Sequence, residues 1–211
     1  MKICLKLLSF LWLFIYTSAN ALPISATQSL ENLLGHIKSL QADFFETISN
    51  QNDGVSHQKL SGLFMLKKPG KFLWETNKPI HQKIISDGLK LWIYDEDLEQ
   101  VVVKSLKENV GSTPAFLLNG QASHLSEDYT VKLKKVGTHG QIDCYTLIPK
   151  KKALYECIQL FFNGKTLVKM RCYDHLGQVT SFYFMHVKTN QLLNDRLFVF
   201  TPPKGVDVVN G

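Results

Sequence analysis

The seven histidines are where catalytic chemistry would first be sought, and they are scattered. They stand at positions 36, 57, 81, 124, 139, 175 and 186, and none forms a local nucleophile pattern with a cysteine or serine. No G-x-S-x-G nucleophile elbow and no H-E-x-x-H zinc helix occurs. There is no C-x-x-C pair, no cysteine/histidine set at zinc spacing, and no glycine-rich phosphate loop. The acidic run Asp95-Glu96-Asp97, with Glu99 nearby, lacks the glycine and distal glutamate of a calcium loop and reads as a solvated turn. No catalytic residue, metal site or cofactor is therefore expected, although a triad assembled from distant residues is not visible to spacing arguments. A secreted hydrolase with such a dispersed triad is the remote alternative.

Cys144, Cys157 and Cys172 follow a fourth cysteine at position 4. Cys157 and Cys172 flank a turn holding Asn163-Gly164. A four-residue loop would set them face to face, and a two-residue loop would make them diagonal neighbours on one face. A disulfide between them and three buried free thiols are equally open readings.

The chain that must position these groups has 211 residues and a net charge of +6. It starts with Lys2 and Lys6, an apolar run from Leu7 to Tyr16, and Ala19-Asn20-Ala21. That is the pattern of a signal peptide, 1–21, cut after Ala21. The run is short of the ~20 residues that a spanning helix needs. No cysteine sits at the cleavage point, so the mature chain is not expected to be lipidated. The expected location is outside the cytoplasm, in the periplasm if the source is bacterial. Two lysines and no acid leave with the peptide, so the remainder carries about +4. This mild charge suits an anionic surface or an acidic partner. It does not call for nucleic acid, and no motif for one is present. No linker or repeat divides residues 22–211, which are expected to form a single domain.

One helix opens that domain. Leu30, Leu33, Leu34, Ile37 and Leu40 recur at helical spacing, and Ser25 with Gln28 fits a capping box. Beyond Ser39 the period becomes two. Strands are expected at 42–48, 57–66, 71–76, 80–86, 89–94, 99–104, 129–135, 142–149, 154–162, 167–174, 178–187 and 196–201. Asp87-Gly88 and Asn163-Gly164 are hairpin turns. Thr113-Pro114 is an N-cap followed by proline at the first helical position, and Ala115 to Leu118 supply a short apolar helix. The expected architecture is mainly β: an open antiparallel barrel or strongly curved sheet. The N-terminal helix and short central helices bury their apolar faces on its concave side. Such a shape is a container, packed or hollow.

Between Ser61 and Gly120 a series of motifs runs through Gly62-Leu63-Phe64-Met65-Leu66, Lys67-Lys68-Pro69, Phe72-Leu73-Trp74, Pro79, Ser86-Asp87-Gly88, Leu91-Trp92-Ile93-Tyr94, Glu99-Gln100-Val101 and Thr113-Pro114. It closes on Phe200-Thr201-Pro202-Pro203-Lys204-Gly205-Val206. In order and spacing this set resembles the LolA family of lipoprotein carriers. The resemblance implies helices acting as a lid over a hydrophobic cavity, in a monomeric periplasmic chaperone. Such carriers take acylated lipoproteins from an inner-membrane lipoprotein-releasing ABC transporter complex and pass them to the outer-membrane receptor LolB. Leu34, Ile37, Phe64, Leu66, Phe72, Trp74, Trp92, Phe116 and Leu117 are then the lipid-binding residues of cavity and lid. Each would serve equally as ordinary core, and the strand of Trp92 could instead turn Leu91 and Ile93 inward. Lys68 shares parity with Leu60, Phe64 and Leu66, which puts it at the inward end of its strand. The family usually carries Arg there as a lid latch. Lysine offers a point charge in place of a planar fork of donors. Lys132/Lys134/Lys135 and Lys150/Lys151/Lys152 are solvated faces or docking patches for an acidic partner. The alternative within the same fold is a lipid-binding sensor or regulatory domain.

Overall fold

The computed structural model describes residues 24–51, 55–106, 114–119 and 125–211. The expected signal peptide and the Thr113 cap lie outside these. Helix α1 spans Ala26–His36, and the Ser25 side chain accepts the Gln28 amide at 3.1 Å, as the capping pattern requires. Its stripe buries Leu30 and Leu34. The helix stops at Ile37, whose extended backbone hands the chain to the first strand.

Six strands follow: β1 Ser39–Asn50, β2 Ser56–Lys67, β3 Lys71–Lys78, β4 Gln82–Asp87, β5 Lys90–Asp95 and β6 Gln100–Ser105. Two short helices come next, α2 Pro114–Asn119 and α3 Leu125–Asp128. Then come β7 Tyr129–Val136, β8 Ile142–Pro149, β9 Tyr155–Asn163, β10 Thr166–Asp174, β11 Gln178–Thr189 and β12 Asp207–Asn210. All twelve strands join one sheet in the order β12-β6-β5-β4-β3-β2-β1-β11-β10-β9-β8-β7. Two edges remain, so the curl is not a closed barrel. Neighbours are antiparallel except β12, which runs parallel to β6.

Strand alternation sorts side chains into two layers. Leu40, Ala42, Phe44, Leu60, Phe64, Leu66, Phe72, Trp74, Leu160, Met170 and Phe182 are buried on the concave side, and most join the helical residues Leu30, Leu34, Ala115 and Leu118 in one core. Gly62 belongs to this face for want of space. A Cβ there would lie 1.8 Å from the Glu75 carbonyl oxygen and 2.9 Å from the Phe44 ring. A bulge between Ser61 and Gly62 brings β3 this close.

The segment 196–201 is not a strand. Asp195–Phe198 is a 3₁₀ helix capped by the Asn194 side chain, which accepts the Arg196 amide. Phe198 is fully buried on the convex side with Met65 and Leu193, packed on Leu63 and Leu73. The chain here straps the back of the sheet, where its alternating apolar residues have a surface to cover but no free edge to pair. The edge pairing comes later, at Asp207–Asn210.

Candidate lipid cavity

β1, β2, β3 and β4 present one residue in two to the concave side, and α2 packs over β3. Between them lies a cavity of about 340 Å³. Leu60, Phe72, Trp74, Ile84, Ala115 and Phe182 form its apolar wall. Gln58, Thr76, Ile80 and Gln82 line it as well, with Gln58 exposed and Ile80 40 % exposed, so this end is the mouth. The wall is stiffened by aromatic packing. The Trp74 ring lies 4.7 Å from Phe44, 4.9 Å from Phe64 and 4.9 Å edge-on from Phe182, centroid to centroid.

The expected residues divide by this geometry. Phe72 and Trp74 line the cavity. Phe64, Leu66, Leu34 and Ile37 are buried in the core that surrounds it, and Leu117 on α2 packs against that core. Phe116 lies on α2, with its side chain outside the described part. Trp92 does not face the cavity. Leu91 and Ile93 take the inward positions, and Trp92 turns to the convex side, 6.3 Å from the Phe200 ring. The strap over the back of the sheet gives that indole a second apolar surface, which a strand pattern alone does not reveal.

The Lys68 ammonium donates to the Leu34 carbonyl oxygen at 2.8 Å. Leu34 stands in the last turn of α1, where the helix dipole favours a cation. Burial, with Lys38 nearby, lowers the Lys68 pKa to about 8. Lys68 thus ties the strand end to the C-terminus of α1. It does not act alone. The Asn190 amide donates to the His36 carbonyl at 3.0 Å and accepts the Lys38 amide at 2.8 Å. At the other end of α1 the Ser29 and Tyr145 hydroxyls share a hydrogen bond of 2.7 Å.

Cys157 and Cys172 do not pair, and the three described cysteines are free thiols. A register shift between Leu167 and Lys169 sets Cys172 opposite Ile158 and Cys157 opposite Tyr173. Adjacent register positions point to opposite faces, so the two sulfurs are separated by the sheet. Cys172 is buried in the concave core, and burial pushes its thiol pKa up. The acidic run is a turn, as expected: Asp95 accepts the Leu98 amide and Asp97 the His81 amide. No metal-holding cluster of His, Cys, Asp or Glu occurs among the described residues.

Sequence reasoning passed over Ile84, Phe182, Tyr155 and Glu46, all of which line the cavity. Glu46 was legible, because it shares parity with Phe44 and Ile48. Asn190 was not, because its role depends on a left-handed backbone at the end of β11.

A curled open sheet whose helices close over an apolar hollow defines a container for a non-polar ligand. Residues 35–201 match the family model described as outer membrane lipoprotein carrier protein LolA. The chain belongs to that family. It is 37% identical over 207 residues to an outer-membrane lipoprotein carrier protein of Hahella chejuensis, covering 97% of this chain and 98% of that one. A Methylococcus capsulatus protein of the same description is 39% identical over 180 residues, 85% of each chain. An uncharacterized conserved protein from Thermus thermophilus shares the fold at 15% identity and a TM-score of 0.52, covering 87% of this chain and 100% of that one.

Proposed function

We propose that this chain is a periplasmic lipoprotein chaperone that shields acyl chains between the inner membrane and an outer-membrane receptor. The observation that carries the reading is the cavity of about 340 Å³ under α2, walled by Phe72, Trp74 and Phe182. A core under no functional demand packs such a volume solid. Exposing acyl chains to water costs ~0.8 kcal/mol per methylene, so the traffic needs an enclosed apolar site. Cargo larger than the cavity is admitted by moving the helices, and the hydrogen bonds of Lys68, Asn190 and Tyr145 to α1 are contacts that such a movement breaks.

The signal-peptide pattern of residues 1–21 supports the periplasmic reading. An inner-membrane ABC transporter complex is the proposed donor and a LolB-type protein the proposed receptor. The chain acts by binding and carries out no chemistry. Phe72→Glu places a charge in the wall and is expected to abolish release of acylated lipoprotein from membrane vesicles into soluble complex. Undiminished release by a folded Phe72→Glu protein would remove the cavity from the mechanism.

A further inference from the structure

Among the described residues, one acid lines the cavity. Glu46, itself half-buried, projects from the concave face of β1 between the buried Phe44 and the half-buried Ile48. Across the ladders it stands opposite Leu60 on β2 and Phe182 on β11. The row continues through Met170 and Leu160 to Tyr145. Every other member of that row is apolar or aromatic and buried. Among the described residues no lysine, arginine or histidine lines the cavity. Among the described residues the Glu46 carboxyl has no hydrogen-bond or ion-pair partner, and burial raises its pKa to about 7. The uncharged polar groups Gln58, Thr76 and Gln82 lie along the same cavity towards the mouth, and the Tyr155 phenol also lines it, close enough with the Cys172 thiol to feel the Glu46 charge but not hydrogen-bonded to it. A wall built only for fit would carry leucine at this position, because even partial burial of an unpartnered carboxylate destabilises the fold.

The position says what the missing partner is. Glu46 sits one pleat repeat, roughly 7 Å, inside Ile48 along the strand. A chain inserted from the mouth passes its methylenes beyond Glu46 and leaves its polar head level with it. Ester heads offer only acceptors; an amide or amine head offers an N–H. We propose that Glu46 is the polar anchor of the cavity and accepts an N–H from the head of an acyl chain, the amide of an N-acylated N-terminus. This rests on the carrier reading and names the part of the cargo that the cavity selects. An ammonium group at an unacylated terminus presents the same N–H chemistry, and the test separates the two.

The probes are three synthetic lipopeptides: one triacylated with an amide N–H, one identical but N-methylated at that amide, and one diacylated with a free amine. Binding is measured to the mature chain and to Glu46→Gln and Glu46→Leu. The wild-type chain is expected to favour the N–H amide over its N-methyl twin by about tenfold, the loss of one hydrogen bond in a dry site. Glu46→Leu loses that preference. Glu46→Gln, which keeps a carbonyl acceptor, retains part of it. A Glu46-dependent preference for the free amine keeps the anchor and makes the cation its partner. Equal binding of amide and N-methyl amide by the wild-type chain overturns the proposal and leaves the carrier reading standing. So does a Glu46→Leu protein that loses both alike. Failure of all three probes to bind the folded chain overturns the carrier reading itself.

Discussion

At Glu46 and at Lys68 burial disfavours the charged form of the side chain. For Glu46 the consequence is a pH slope. Its folded pKa is raised to about 7 from 4.5 by burial, so between those values the folded state binds more protons than the unfolded state. Stability then falls as pH rises through this window, and the penalty is complete above it. Tyr155 and Cys172, which also influence this region, are both pushed up and stay neutral throughout. Glu46→Gln is expected to flatten the slope and to gain about 2 kcal/mol at pH 8, a value discounted for partial solvent access. Thermal unfolding at pH 5 and pH 8 checks this; parallel pH profiles would contradict it. Lys68 holds the Leu34 carbonyl through one charge-assisted hydrogen bond, worth ~1.5–3 kcal/mol before the cost of burying the charge. Lys68→Met keeps the apolar stem and removes the donor. Amide exchange at Ile37, whose N–H closes on the same carbonyl, is expected to rise about tenfold. Exchange at the rate of the unaltered chain would show that Asn190 alone fixes the helix end.

At the scale of elements the question is what keeps the hollow open. Ala115 is buried on α2 and lines the cavity opposite Phe72 and Trp74. Ala115→Leu fills part of that space. Each added methyl group buries apolar surface worth ~0.8 kcal/mol, so the variant is expected to melt higher by a few degrees and to bind acyl chains at least about tenfold more weakly. Higher stability with unchanged lipid affinity would place the ligand elsewhere. Most of these elements were legible in the sequence, because period-two alternation and the Asp87-Gly88 and Asn163-Gly164 turns mark the strands directly. What was not legible depended on a partner remote in sequence. The strand expected at 196–201 is a 3₁₀ strap because the convex side of β2 and β3 offers Phe198 a place to bury. Trp92 turned outward because Phe200 of that strap is there to meet it. The disulfide reading failed on a single-residue shift in β10, which no residue type announces.

For the whole molecule the account makes one central claim: the twelve-stranded curl and its helices enclose a site for acyl chains and open to admit them. The residues around the cavity were legible as apolar positions on one face; the hollow itself was not, since the same alternation describes a filled core. Native mass spectrometry of the mature chain, incubated with a triacylated lipoprotein and with the same polypeptide stripped of its acyl chains, tests the claim most directly. The account predicts a one-to-one soluble complex with the acylated form and none with the stripped form. A folded chain that binds neither, or binds both alike, would contradict it.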